Sequence, residues 1–169
     1  MTVNWEEVYR RDYGDLVRFL HRMVWDVDRA RDLAQETFAR ALAHTPDNPR
    51  AWLFRVAGNL AKDEARMVIR RREHLVLLKG DADANPKSAP APDEELDRRE
   101  RSDLLREALD SLSERDREVL LLWNAGLDYS EIAHTTGLAV GAIGTTLARA
   151  RKRLVNAHED LEKRHVARG

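Results

Sequence analysis

The sequence predicts an all-α fold: two small helical domains joined by a flexible, acidic, Pro/Ala-rich linker, the second domain carrying a helix-turn-helix. Three observations lead there. Apolar residues recur at helical spacing on both sides of a single break. The break, GDADANPKSAPAP at Gly80–Pro92, holds three of the five prolines and no large apolar residue, so it cannot bury a core face and reads as a tether. Near the C-terminal end, LDYSEIAHTTG joins a short capped segment, a glycine and a second apolar-periodic segment. That order is the signature of a helix-turn-helix. The composition shifts divide the chain into residues 1–78, a linker 79–97 and residues 98–169.

Each element has a local cause. Asn4 and Glu7 form a plausible capping box, and Trp5, Val8, Tyr9, Leu16, Leu20, Met23 and Val24 follow on one face. A second helix begins near Asp28, with Ala30, Leu33, Ala34, Phe38, Ala41 and Leu42 as its apolar side. Asn48 caps a third, Pro49 takes its first position, and Trp52, Leu53, Val56, Ala57, Leu60 and Ala61 form its stripe to about Glu73. Beyond the linker, Leu105, Ala108, Leu109 and Leu112 mark a fourth helix. Ser113 starts a fifth, which Gly126 stops. Asp128 and Glu131 make a capping box, with Leu127 and Ile132 as its hydrophobic staple, and Gly137 ends that short helix. Ile143, Leu147, Ala150 and Leu154 line the last one.

Composition narrows the function. The chain of 169 residues has no cysteine, which removes a disulfide framework or thiolate metal site and suits a reducing cytoplasm. The N-terminal MTVNWEEVYRRDYGD has no apolar core of a signal peptide, and the longest apolar run, Val119–Trp123, is too short to span a bilayer. A soluble cytoplasmic protein without membrane insertion is expected. There is no P-loop, no GxGxxG and no HExxH, and the carboxylates sit among arginines at helix-surface spacing. No enzyme, metal site or cofactor is expected. The net charge of −1 conceals segregation. Arg66–Arg72 holds four arginines and no acid, Arg149–Arg153 holds three arginines and a lysine, and Gly80–Asp97 holds six acids against Lys87.

Three constellations remain. In DLAQETFARAL, Asp32–Leu42, the residues Asp32, Gln35, Glu36 and Arg40 project from one helix face. In RAWLFRVAGNLAKDEARMVIRRR, Arg50–Arg72, the residues Arg55, Asn59, Lys62, Asp63, Arg66 and Arg70 follow one side of a helix, where cations can track phosphates and Asn59 can bond a base edge. Leu112–Leu154 carries the helix-turn-helix. Taken singly, each has an ordinary reading as a solvated or charge-paired face.

In this order and around an acidic linker, the three motifs resemble the bacterial RNA polymerase sigma factors of the extracytoplasmic-function type, from about Trp5 to Leu154. The resemblance implies reversible binding to core RNA polymerase, on the clamp helices of its largest subunit, and direction of the enzyme to promoter DNA. It places Asp32, Gln35, Glu36, Phe38 and Arg40 on the polymerase-binding surface. It assigns recognition and melting of the minus-ten element to the loop and helix carrying His44, Asn48, Arg50, Arg55, Asn59, Lys62, Asp63, Arg66 and Arg70. It assigns the minus-thirty-five element to Ala142, Thr145, Thr146, Arg149 and Arg151. Members of the family often have an anti-sigma factor as a further partner.

The chain departs from the family at GAIGTTLARAR, Gly141–Arg151. Relatives commonly carry lysine and arginine where Gly144 and Thr146 stand, and a capping serine or threonine where Ala139 and Val140 stand. Such a cap contributes ~1 kcal/mol. Shape and backbone recognition is therefore expected, rather than a bidentate base code. Two other readings share part of the sequence: a helix-turn-helix regulator that binds duplex DNA without polymerase, and a polymerase-binding module whose second domain no longer reads DNA.

Overall fold

The computed structural model describes residues 2–79 and 93–169, and every regular element among them is helical. The segment read as tether at 80–92 lies outside the described residues. The elements are α1 (Trp5–Val24), α2 (Val27–Ala41), α3 (Pro49–Lys79), α4 (Asp93–Asp110), α5 (Glu114–Asn124), α6 (Tyr129–Thr136) and α7 (Val140–Arg168).

In the first half, α1, α2 and α3 pack around Leu16, Phe19, Leu20, Leu33, Ala34, Leu53, Phe54 and Ala57. Phe19 meets Phe54 edge-on at 5.4 Å. Side chains of this size gain ~1.5–3 kcal/mol each when fully buried. In the second half, α5, α6 and α7 close over Val119, Leu122, Leu127, Ile132, Ile143 and Leu147, with α4 packed along α7. The two sets form one continuous apolar cluster. Helix α3 lies against α6 and α1 against α5, and the Thr135 hydroxyl of α6 donates to the Ala51 carbonyl of α3 at 3.3 Å.

The ends follow the local chemistry. Asn48 Oδ1 accepts from the Ala51 N–H at 3.1 Å, so Pro49 begins α3 without an orphaned donor. Asp128 and Glu131 exchange both bonds of the capping box, at 2.8 and 3.1 Å. Gly137 closes α6 with φ +78°, a left-handed conformation that costs glycine little. Ala139 precedes α7 without any side-chain cap.

Two boundaries differ from the sequence reading. Helix α3 continues to Lys79 instead of stopping near Glu73, and α4 begins at Asp93, so residues 93–97 are helical rather than linker. The physical reason for the second is that Asp93, Glu94 and Glu95 occupy a first turn, where negative charge complements the positive end of the helix dipole. An acid run that reads as a tether is also a good helix start. No helix among the described residues is long and apolar enough to cross a membrane.

Candidate polymerase and nucleic-acid interfaces

Helix α2 packs its apolar side on α1 and α3 and turns Asp32, Gln35, Glu36 and Arg40 outward. Glu36 and Arg40 pair at 2.9 Å. Phe38 is buried on the apolar side that its spacing predicted, edge-on to Tyr9 at 5.0 Å and beside Tyr13 at 6.4 Å, beneath the surface to which the resemblance assigned it. It seats α2 on α1 beneath the polar face. A tie the sequence did not suggest braces the same helix. Arg29 donates twice to Glu64 of α3, at 2.6 and 2.8 Å, fixing the angle at which α2 presents its face.

The loop before α3 and the outer side of that helix hold the second group. His44 Nδ1 meets the Arg40 carbonyl at 3.0 Å, its ring lies 5.0 Å from Trp52, and its own carbonyl accepts from Trp5 Nε1 at 3.2 Å. The loop is thus pinned by aromatic contacts on both sides. Asn48 is spent on the helix cap. Arg55, Asn59, Asp63, Arg66 and Arg70 are exposed along α3, as their spacing predicted, with only Asp63 and Arg66 in a loose pair at 3.8 Å.

Arg50 and Lys62 do not share that exposure. Arg50 reaches inward to Asp12, which is completely buried and also held by Arg11 at 3.0 Å. Arg50 then bridges to the second half, donating to the Ala125 carbonyl at 3.1 Å and facing Glu131 at 3.5 Å. Lys62 pairs with Glu118 at 3.0 Å and Glu114 at 3.6 Å, both on α5.

In the second half, the outward stripe of α7 runs through Gly141, Thr145, Ala148 and Lys152, with Ala142 half-buried beside it. Thr146 departs from expectation: it is buried on the opposite side and cannot offer its hydroxyl to a groove. One residue along a helix is about 100° of rotation, so of two adjacent threonines only Thr145 faces out. Gly144 lies under Tyr129, whose ring would be 3.5 Å from an added Cβ. A long side chain at that position would emerge against the ring. Arg149 and Arg153 both donate to buried Asp116 of α5, at 2.9 and 2.8 Å. The Arg149 hydrogen bond holds the Asp116 carboxyl below the usual carboxylate range against the opposing effect of burial, with Arg153 adding to it. Arg151 stacks over Trp123 at 5.6 Å. Lys152 makes no ion pair with a described residue, which leaves it the least committed cation of the stripe.

The two buried aspartates, which hold arginines of both candidate surfaces, are residues the sequence reading missed. A signal existed. Asp12 stands between Val8 and Leu16, and Asp116 between Leu112 and Val119, each an acid in an apolar helical register.

Comparison with known proteins bears on this arrangement. Residues 8–72 match sigma-70 region 2, and residues 102–154 match sigma-70 region 4. The halves of this chain are thus those of a sigma-70-type protein. The chain is 31% identical over 154 residues to the ferric citrate uptake sigma factor FecI of Escherichia coli, covering 88% of this chain and 87% of that one. It is 32% identical over 157 residues to the ECF RNA polymerase sigma factor SigE of Mycolicibacterium smegmatis, covering 89% of this chain but 60% of SigE. A co-crystal structure of the sigma factor RpoE with the anti-sigma factor NepR from Bartonella quintana shares the fold, at a TM-score of 0.59 and 24% identity, over 92% of this chain and 97% of that one. The chain belongs to the extracytoplasmic-function sigma factors, which direct transcription by RNA polymerase.

Proposed function

We propose that α2 docks on core RNA polymerase through Asp32, Gln35, Glu36 and Arg40, while Arg29–Glu64 and Phe38 keep that face in position. The outer side of α3, with Arg55, Asn59, Asp63, Arg66 and Arg70, receives the opened minus-ten strand together with the loop at His44. Cations there supply phosphate attraction and Asn59 a base contact. Opening is cheapest where the DNA is already strained, at a few kcal/mol per base. The stripe Gly141–Thr145–Ala148–Lys152 of α7 enters the major groove of the minus-thirty-five element, and residues 1–78 and 98–169 act as the two DNA-binding domains. An anti-sigma factor is the natural further partner, as in the Bartonella quintana co-crystal.

The observation that carries this reading is the sorting of one bundle into two faces: a polar, acid-bearing face on α2, and a cation-bearing ridge on α3 that continues past the core. Replacing Asp32, Gln35 and Glu36 together by alanine tests it. The variant is expected to lose at least about ten-fold in affinity for core polymerase, which corresponds to 1.4 kcal/mol. Its helical circular dichroism and unfolding midpoint stay unchanged, because all three side chains are exposed. Undiminished co-purification with core enzyme would refute the assignment of α2.

A further inference from the structure

We propose that the cavity walled by the end of α1, by α3, by α4 and by the start of α5 binds a nucleoside polyphosphate, with Trp25 as the surface for the base and Arg72 and Arg106 as phosphate ligands. The cavity has a volume of about 460 Å³. That lies within the ~300–1,000 Å³ of small-molecule pockets. Five cations line it, Arg22, Lys62, Arg72, Arg106 and Arg117, against two acids, Glu64 and Asp110. Some of these charges are already matched. Lys62 pairs with Glu114 and Glu118, Arg117 with Asp110 at 3.4 Å, and Glu64 with Arg29. Arg22, Arg72 and Arg106 make no ion pair with a described residue. Three uncompensated guanidinium groups around one cavity call for an anion, and their planar forks match phosphate oxygens two at a time. Met23, Ala61, Ala65 and Val68 add an apolar side, which a bare inorganic ion would leave unused.

Trp25 supplies a second, independent observation. Among the described residues it is the one non-glycine residue with a positive φ, +59°, at the C-cap of α1. Glycine takes that left-handed position without steric cost, and a bulky aromatic residue does not. A side chain held on a strained backbone points to a role. The ring lines the cavity, with the guanidinium groups of Arg22 and Arg106 at 5.1 and 5.8 Å from its centroid. An aromatic face stacks a planar base, and guanidinium groups beside it neutralise the attached phosphates. Arg106 is exposed and the more distant of the two, so it can turn from the ring to a phosphate when a base takes its place. Promoter DNA does not fit this site. At 100° per residue, Ala61, Ala65, Val68 and Arg72 lie roughly 140° around α3 from the ridge of Arg55, Asn59, Arg66 and Arg70. A strand along that ridge has α3 between itself and the cavity. The ligand is therefore a free nucleotide.

The test titrates ATP and GTP calorimetrically into the full chain without polymerase. At least one of them should bind at one site per chain. Its nucleoside, and tripolyphosphate, should each bind at least about ten-fold more weakly, since one keeps only the ring contact and the other only the phosphate contacts. Trp25→Gly removes the ring and relieves the left-handed backbone. This variant should unfold at the same or a higher urea midpoint, yet lose at least about ten-fold in nucleotide affinity. Arg72→Gln combined with Arg106→Gln should lose about as much. Lys163→Gln with Arg164→Gln, on the exposed end of α7 outside the cavity, makes the same change in net charge and should bind as the wild type does. Tripolyphosphate binding as tightly as the nucleotides, or a Lys163/Arg164 control that loses as much as the Arg72/Arg106 variant, would reveal unspecific attraction of polyanions and overturn the site. So would binding untouched by Trp25→Gly, or no binding of either nucleotide. Displacement of the nucleotide by a single-stranded oligonucleotide of mixed sequence, at equal phosphate concentration, would place the cavity on the DNA surface and overturn the proposal as well.

Discussion

Each half of this protein contains one fully buried aspartate gripping two arginines, and the halves differ in that one of the arginines on Asp12, Arg50, is covered, while Arg11 on Asp12 and both arginines on Asp116 stay exposed. Asp12 draws Arg50 inward until only 15% of that side chain is exposed. Asp116 is equally buried, yet Arg149 and Arg153 keep 45% and 57% of theirs. The same ion chemistry hides a cation in one place and displays two in the other. The difference lies in what covers the arginines. Arg50 is roofed by Ala125 and Glu131 of the opposite half, whereas Arg149 and Arg153 stay exposed on α7. A buried carboxylate next to an arginine therefore does not settle whether the arginine is available to DNA. The third layer does.

The largest effect should come from the deeper pair. Asp12→Ala removes the acid that Arg50 and Arg11 share. Losing one partner of a buried pair typically costs about 3 kcal/mol or more, because the other charge stays desolvated. Urea unfolding should show this as a lower midpoint with an unchanged slope. Asp116→Asn leaves arginines that can rehydrate, so its cost should be smaller by about a factor of three. Equal costs for the two variants would break the comparison, because depth would then not matter.

Acid sharpens it further. Asp116 has a folded pKa below its unfolded value, held there chiefly by the Arg149 hydrogen bond. A depressed carboxylate contributes stability that is complete above the unfolded aspartate value of ~3.9 and is lost as pH falls through the folded value. The melting temperature of the wild type should accordingly drop as the pH falls below about 4, by an amount that Asp116→Asn does not show. The same acid titration of Asp116→Asn, with an unaltered drop, would remove the tie between α5 and α7 as its source.

Local chemistry explains what the sequence revealed. Asn48 with Pro49, Asp128 with Glu131, and Gly137 act on their immediate neighbours, so their caps and turns were legible without any tertiary information. The exposed cation path Arg55–Arg66–Arg70 was legible because helical spacing alone orders it. What failed to show depends on distant partners. Arg50 meets Asp12 across 38 residues and Ala125 across 75, and Arg149 meets Asp116 across 33. Before those contacts are known, each arginine looks like a free phosphate ligand. Thr146 was misplaced for a smaller reason: it stands beside outward-facing Thr145, and the rotation of a single helical step decides its side.

The helix that lacks long side chains supplies the smallest effects and the finest distinction. Thr145 faces outward and Thr146 does not, while Lys152 is the cation of that stripe without a described ion-pair partner. Lys152→Ala should weaken binding to duplex DNA for every sequence and lower the salt slope by about one, the signature of one lost phosphate contact. Thr145→Ala should change affinity less than about two-fold and leave the salt slope intact, because a methyl or hydroxyl at a groove edge contributes far less than a bidentate pair, which is worth ~1–3 kcal/mol. Titrations over a set of single-base variants of the minus-thirty-five element separate the two. If Thr145→Ala erased discrimination at one base pair, α7 would be reading sequence through that hydroxyl. The close backbone approach permitted by Gly141, Ala142 and Ala148 would then serve to deliver Thr145 to a base, and shape would be the lesser part of its specificity.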